Sequence, residues 1–306
     1  MTQSKTYIYM LLMLVAVVSC KEETAEYLPS FNVSFSPVVT ANTRAHSGQY
    51  PQEVPFGVWI YSLPQKHKWE KNSAQATPLL ENSIVTYNNG EWTNTPVLEW
   101  PKKQNLTVFA YSPLEVNASY SKQKGLEINN LDVTDGVYPL FTNPIADCSS
   151  KYCGGCIALP FVPSLSKVEF RVRSMAQMDS LLCLRSLTID KIHYKGTFQS
   201  LPQASWTPAN ETMKLEFCSG CVMIENTSET IGTQMVLPQA VSQPVELVVD
   251  VYNKDGVLID EGRKITSRLI ECNWNVGKYY TYTLNLTTDS VTFTTDIFDN
   301  YDARFK

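Results

Sequence analysis

Apolar and polar side chains alternate along much of the chain, and this pattern predicts β-strands separated by short turns. In the segment 31–36 the apolar side chains fall on one face and the polar ones on the other, as in a half-buried strand. We expect this segment to be the first strand and Pro37 to end it. The same alternation returns at 167–173, which predicts that the second half of the chain is built in the same way.

Two denser runs of apolar and β-branched residues, 54–62 and 106–113, predict buried strands, and the first of them is expected to be buried on both faces. Asn89 with Gly90, and the turn 253–256, predict two hairpins, because asparagine and glycine readily adopt the positive φ of tight turns. The segment 279–286 is expected to be the last core strand.

The composition is typical of an all-β protein of two domains. The chain contains 16 tyrosines, 12 phenylalanines and 17 prolines, and only 175–183 is interpreted as a short helix. Its 306 residues exceed the usual length of one domain. We therefore predict two consecutive β-sandwich domains, 31–155 and 156–306, with their boundary in the cysteine- and glycine-rich stretch 147–155.

The N-terminus has the pattern of an export signal. An apolar run at 7–19 follows a single basic residue, Lys5, and is too short to span a bilayer. Residues 1–19 are therefore interpreted as a signal peptide.

The end of this run resembles the lipobox of bacterial lipoproteins. The resemblance implies cleavage between Ser19 and Cys20 and lipid attachment to Cys20, whereas an ordinary secretory signal is the alternative. Residues 20–30 are then a polar tether. The tripeptide 21–23, Lys-Glu-Glu, resembles a signal for the outer face of the outer membrane, which predicts a surface lipoprotein.

Charge and motifs exclude several functions. The net charge is −5 and no basic run occurs, so neither nucleic acid nor an anionic lipid surface is indicated as a partner. The three histidines have no metal-ligand spacing, and hydrolase and nucleotide-binding signatures are absent. We expect neither an enzyme nor a cofactor or metal site.

Two CxxC pairs, Cys153 with Cys156 and Cys218 with Cys221, are the remaining candidate chemistry. Outside the cytoplasm disulfides or unpaired thiols are the expected state of these cysteines. A zinc site built from both pairs is the alternative.

Six tryptophans allow an interpretation as a glycan-binding protein, because exposed aromatic rings stack on sugars. Trp69 and Trp206 stand in polar surroundings and are the best candidates for exposure. Core packing accounts for the others.

Several segments together resemble the fimbrillin family of bacterial surface lipoproteins, in the family's order and over most of the chain. These segments are Cys20 with its acidic continuation, Thr43-Arg44-Ala45, 56–61, 100–101, 109–113, 165–168, 237–239 and 274–284. The resemblance implies two transthyretin-like β-sandwich domains and a role in cell adhesion, with host protein or glycan as further partners.

The resemblance also implies assembly with other pilus subunits by strand exchange. A trypsin-like protease would cut after Arg44, the first strand would leave, and a strand from a neighbouring subunit would fill the groove. The alternative is that Arg44 lies in an uncut loop. The segment 291–297 alternates and is either the donor strand or a closing strand of the second domain.

Two hypotheses follow. The first is a stalk, tip or anchor subunit of a strand-exchange pilus, held in the outer membrane or in a fimbrium. The second is a stand-alone surface lipoprotein that binds a glycan or a protein.

Overall fold

The computed structural model describes residues 31–40, 48–175, 180–268 and 273–299, and the structural statements below concern those residues. They are mainly strands, with two short α-helices, α1 (Trp69–Asn72) and α2 (Ser150–Cys153), and two 3-10 helices, Ser73–Gln75 and Val133–Asp135. None of the described helices is long and apolar enough to cross a membrane. The strands are β1 (Ser34–Val39), β2 (Gly48–Gln49), β3 (Phe56–Pro64), β4 (Thr77–Asn88), β5 (Glu91–Asn94), β6 (Gln104–Ser112), β7 (Ala118–Ser121), β8 (Gly125–Asp132), β9 (Leu140–Thr142), β10 (Ile145–Cys148), β11 (Cys156–Pro163), β12 (Ser166–Ser174), β13 (Ser180–His193), β14 (Lys195–Gln199), β15 (Ser205–Pro208), β16 (Thr212–Ile224), β17 (Glu229–Val236), β18 (Pro244–Asn253), β19 (Leu258–Arg268), β20 (Lys278–Leu286) and β21 (Val291–Asp299).

The first sandwich consists of a large sheet and a small one. The large sheet has the order β10-β6-β3-β4-β5-β1-β11-β9, and β9 also pairs with β6, so the sheet closes into a ring. The small sheet, β15-β14-β8-β7, covers one side of that ring. One core fills the ring and a second core lies between the ring and the small sheet.

Strand β3 illustrates why the dense apolar runs occur. Its first eight residues, Phe56–Leu63, are buried on both faces. Phe56 points into the core of the ring, whereas Trp59 points into the core beneath the small sheet. The prediction of burial on both faces is confirmed for β3, and the prediction of a buried strand is confirmed for β6.

The second sandwich packs two four-stranded sheets around one core. The sheets have the orders β17-β12-β20-β21 and β16-β13-β18-β19. Val168, Phe170 and Val172 alternate into this core, as the pattern at 167–173 predicts. The all-β sandwich architecture is therefore confirmed.

The strand pairing changes sandwich later than the sequence predicts. β11 follows the expected boundary at 155/156, yet it belongs to the ring, because Ile157, Leu159 and Phe161 alternate into the ring's core. β14 and β15 also return to the first sandwich, where β14 pairs with β8. The cysteine- and glycine-rich stretch is thus a turn inside the first sandwich.

Two local predictions are wrong. Pro37 does not end the first strand, which continues to Val39. Ser34 donates its N–H to the Gly155 carbonyl, at the edge of β1 that faces β11. Successive backbone N–H groups of a strand point to opposite edges, so the nitrogen of Pro37 faces the other edge. At that edge β5 pairs only with Phe35, and β2 pairs only with Val38 and Val39, so no donor is needed at Pro37.

The helix predicted at 175–183 is also wrong in its described part. Residues 176–179 lie outside the described residues, and Ser180 begins β13. Leu182 pairs with strands on both sides of it, and these pairings decide the local conformation. By contrast, the hairpin at Asn89 and Gly90 is confirmed, with φ of 53° and 89°.

Candidate strand-exchange groove

Strand β1 is the element on which the candidate site depends. It lies near the start of the described residues and is a member of the ring sheet. It pairs with β11 on one side and with β5 and β2 on the other. Its pairing with β11 is parallel, with Phe35 opposite Ile157 and Val39 opposite Phe161. Removing β1 would therefore open the ring and leave an unpaired edge on β11.

Backbone hydrogen bonds hold both edges of this segment. Val33 donates its N–H to the Leu98 carbonyl at 2.8 Å, and Ser34 donates to Gly155 at 2.9 Å. At the far end Thr40 donates to Phe161 at 3.0 Å. An incoming strand would have to replace these bonds, since unpaired buried backbone groups are costly.

The inward side chains of β1 fill pockets in the ring's core. Val33 is fully buried, Phe35 is 3% exposed, and Val39 is 6% exposed. Burying a side chain of this size contributes about 1.5–3 kcal/mol. The outward residues are polar or partly exposed, so β1 has one apolar, buried face and one face that is accessible to solvent.

An aromatic cluster forms the floor beneath Phe35. Tyr50 packs against Phe56, Trp92 and Phe161, with ring centroids 5.6, 5.4 and 5.2 Å away. The Tyr50 hydroxyl shares a hydrogen bond of 2.7 Å with Ser112. Burial raises the pKa of Tyr50 far above its usual value, so this hydroxyl stays neutral. The floor is therefore aromatic and uncharged, which suits an apolar strand.

Gly155 shapes the entrance to the groove. Its φ is +87°, and a Cβ at this position would lie 2.8 Å from the Asn32 carbonyl oxygen and 3.2 Å from Phe31 Cβ. Only glycine lets the turn approach the segment that leads into β1. Sequence reasoning missed this role, although the Gly154-Gly155 doublet is visible in the sequence.

Strand β21 is the other half of the candidate site. It pairs with β20 along its whole length and forms the edge of its sheet. Val291 is buried, but Ile297 and Phe298 near its end are each 48% exposed. In this structure the segment 291–297 is thus a closing strand of the second sandwich, with one free edge.

The residues predicted for export and maturation cannot be placed. Ser19, Cys20 and Arg44 lie outside the described residues. Arg44 falls in the stretch 41–47 between β1 and β2.

The cysteines differ from the expected pairs. Cys221 forms a disulfide with Cys183 on the adjacent strand, with a Cα–Cα distance of 5.6 Å. Cys153, Cys156 and Cys218 are free thiols in the structure, as is Cys148. The partner of Cys221 thus comes from β13 and not from either CxxC pair, because sheet pairing brings β13 and β16 together.

The described residues hold no group of three or more His, Cys, Asp or Glu side chains arranged to bind a metal ion. The two CxxC pairs also belong to different sandwiches, since Cys153 packs on the ring's core and Cys218 on the second core. Burial, with the neighbouring Cys153 thiol, raises the pKa of Cys148 well above its usual value.

The tryptophans expected to be exposed are buried. Trp69 is 8% exposed and packs between Tyr61 and Phe109, while Trp206 is 9% exposed and donates its indole N–H to Ser164 at 2.7 Å. Polar neighbours in sequence misled the prediction, because both indole rings belong to the core between the ring sheet and the small sheet. Neither ring offers a platform for stacking on a sugar.

These features define an all-β protein of two packed sandwiches whose first strand completes a ring sheet. The model of the Fimbrillin-like family matches residues 43–299, and the chain belongs to that family. A comparison with curated proteins found no match.

Solved structures share this fold at low sequence identity. A fimbrial protein from Bacteroides vulgatus has a TM-score of 0.68 at 13% identity, covering 88% of this chain and 99% of that one. A candidate cell adhesion protein from Bacteroides uniformis has a TM-score of 0.53 at 14% identity, covering 88% and 98%. Another from Bacteroides ovatus has 0.53 at 12% identity, covering 91% and 100%.

Proposed function

We propose that this protein is a lipid-anchored surface subunit of a fimbrium, serving as stalk, tip or anchor, and that it joins its neighbours by strand exchange at the β1 groove. The observation that carries the proposal is the placement of β1. This strand fills buried pockets and closes the ring sheet, so its departure would leave a groove of defined shape.

The inward faces of β1 and β21 match in order. Val33 just before β1 and Phe35, Pro37 and Val39 within it are buried on one face, and the corresponding face of β21 carries Val291, Phe293, Thr295 and Ile297. A donor strand running in the direction of β1 would place valine, phenylalanine and a β-branched residue in the pockets that β1 fills. This match supports β21 of a second copy as the donor.

The edge position of β21 supports the same assignment. Among the described strands it pairs with β20 alone, and its outer half buries little surface, so it can detach at lower cost than a central strand. Two contacts hold its end against β20 within the same subunit. They are an ion pair between Lys278 and Asp299 and the ring contact between Tyr279 and Phe298.

Arg44 is proposed as the maturation site. It lies in the connection between β1 and β2 and is the first arginine of the chain. Cleavage there would separate residues 20–44, with the lipid at Cys20 and strand β1, from the rest of the subunit. Without cleavage the lipid and β1 stay, and the protein remains attached to the membrane as an anchor or cap.

An arginine-specific, trypsin-like protease tests this proposal. We expect one early cut after Arg44, followed by ladders of oligomers on denaturing gels run without heating. Arg44→Ala should abolish both, whereas Arg268→Ala, at an exposed strand end, should abolish neither. Ladders formed by uncut Arg44→Ala, or cleavage scattered over the chain, would contradict the stalk role.

Lipid attachment has its own test. Cells grown with labelled palmitate should incorporate the label into the wild-type protein, and Cys20→Ala should remain unlabelled. Protease added to intact cells should digest the wild-type protein if it faces outward. Label retained by Cys20→Ala would contradict the anchor.

A further inference from the structure

An open cavity of about 1090 Å³ lies at the end of the first sandwich where the described chain begins. We call it the lysine cavity. Its lining includes Phe31, Lys66, His67, Lys102, Lys103 and Lys151. Trp100 and two prolines add apolar surface.

The lysine cavity is basic in an acidic protein. The chain carries a net charge of −5, yet the lining includes four lysines and only one acidic residue, Glu99. Lys66, Lys102 and Lys103 are exposed, and none of them forms a salt bridge among the described residues. The site therefore offers uncompensated ammonium groups beside apolar surface.

A second observation points to an unfilled hydrogen-bonding site. His67 lines the cavity, and its buried Nδ1 atom has no hydrogen-bond partner among the residues that the structure describes. Buried polar atoms normally have partners. His67 thus places in the cavity wall a polar group that the described residues leave unpaired.

The position of the cavity relates it to the proposed lipid. The Phe31 carbonyl accepts the Trp100 N–H at 2.7 Å, which fixes the point where the chain enters the sandwich at the cavity wall. Residues 20–30 precede this point, and even a fully extended tether of that length reaches only about 40 Å. A lipid on Cys20 would therefore hold the lysine cavity close to the membrane.

We infer that the lysine cavity is the membrane-facing surface of the anchored protein and binds phosphate-bearing headgroups of anionic lipid. The inference rests on the proposed lipid attachment at Cys20. Clustered lysines near an anionic surface strengthen membrane binding, and they add to an acyl anchor as a second attachment. The sequence has no basic run, because the lysines come from segments that are distant in the chain.

Vesicle co-sedimentation of the exported chain carrying Cys20→Ala tests the surface without the lipid. The vesicles contain phosphatidylcholine alone, or phosphatidylcholine with about one-third phosphatidylglycerol. We expect binding only to the anionic vesicles. The triple variant Lys66→Gln, Lys102→Gln and Lys103→Gln should bind about tenfold to a hundredfold more weakly.

A matched control changes three lysines of the second sandwich, Lys191, Lys214 and Lys254, to glutamine. It removes the same charge, and Lys191, with φ of 55°, matches Lys103, with φ of 58°. Binding should stay near that of the parent chain. Equal losses in both triple variants would overturn the inference, because net charge alone would then explain binding.

Two further outcomes would also overturn it. One is the absence of binding to anionic vesicles. The other is that the protein binds equally to both vesicle types and that inorganic phosphate, at matched ionic strength, releases it. That result would indicate a soluble ligand. Because the test uses Cys20→Ala, its failure is separate from a failure of lipid attachment, which palmitate labelling detects.

Discussion

The Phe35 ring meets the Phe56 ring edge to face, with centroids 6.1 Å apart and an angle of 83° between the ring planes. The two strands are not neighbours in the sheet, since β4 and β5 lie between them on one side of the ring. The contact therefore crosses the interior of the ring and ties the removable strand to the core.

Phe35→Ala should destabilise the uncut protein by about 3–5 kcal/mol, because it leaves a cavity above Phe56. Chemical denaturation of both proteins measures the difference. Ser36→Ala, on the exposed face of the same strand, should change stability by less than about 0.5 kcal/mol. A small effect of Phe35→Ala would mean that β1 is not seated in the core.

Gly155→Ala should loosen the entrance to β1. The added methyl group would meet the Asn32 carbonyl oxygen, in addition to the cost of about 1–2 kcal/mol for a positive φ. Gly90→Ala is the matched control, since Gly90 has φ of +89° and a Cβ added there would have no other atom within 4 Å.

Denaturation midpoints of the two glycine variants distinguish the cost of the clash with Asn32 from the cost of a positive φ in a residue other than glycine. Gly155→Ala should be the less stable of the two. Equal losses would show that the contact with the segment before β1 does not matter.

Ile297→Ser should distinguish the role of β21 as a donor strand from its role as the closing strand of its own second sandwich. Ile297 is 48% exposed in the subunit, so the variant should unfold at nearly the wild-type denaturant concentration. In the proposed assembly Ile297 enters the pocket of Val39 and becomes buried, so oligomer ladders should weaken.

Phe298→Ser is its control, because Phe298 is also 48% exposed but points to the opposite face. Gels run without heating compare both variants with the wild type after arginine-specific cleavage. If Phe298→Ser weakens the ladders more than Ile297→Ser, the proposed register is wrong.

Acid should weaken the second sandwich through Glu169. Burial opposes ionisation of this carboxyl group, but hydrogen bonds from Tyr279 and Arg171 outweigh burial and lower its pKa. The Tyr279 hydroxyl and Arg171 Nε each lie 2.6 Å from a carboxylate oxygen.

Because the folded pKa is below the unfolded one, this stabilisation is present above the ordinary carboxyl pKa and is lost as pH falls through the folded value. Glu169→Gln should therefore be less stable than wild type at neutral pH, and the gap should close in acid. Glu246→Gln, at a half-exposed pair with Lys214, should show little change. Denaturation curves across this pH range test the expectation.

The Cys183–Cys221 disulfide should stabilise the second sandwich. It closes a separation of 38 residues, and the cross-link lowers the entropy of the unfolded chain by an amount that corresponds to about 4 kcal/mol of stability. The double variant Cys183→Ser, Cys221→Ser should unfold at lower denaturant concentration, whereas Cys156→Ser, at an exposed thiol, should not. Peptide mapping without reductant should recover Cys183 and Cys221 in one cross-linked product.

Much of the secondary structure could be predicted from the sequence. The hairpin at Asn89 and Gly90 and the alternation at 167–173 depend on neighbouring residues, so local chemistry determines them. The prediction failed at Pro37 and at 180–183, where strand partners from elsewhere in the chain decide the conformation.

The candidate site could be predicted only in part. The alternating face of β1 is visible in the sequence, but its parallel partner β11 is not, and the boundary at 155/156 was misplaced for that reason. The burial of Trp69 and Trp206 is not visible in the sequence, because the core that encloses them is assembled from distant segments.

The sequence by itself determined the all-β class, the tight turns, and the resemblance that leads to the fimbrillin-like family, because alternation, turn residues and motifs are local properties. The tertiary structure decided which strands close the ring around Phe35, that Cys183 is the partner of Cys221, and that Lys66, Lys102 and Lys103 share one cavity. Each of these depends on distant segments meeting in space, which the local pattern does not specify.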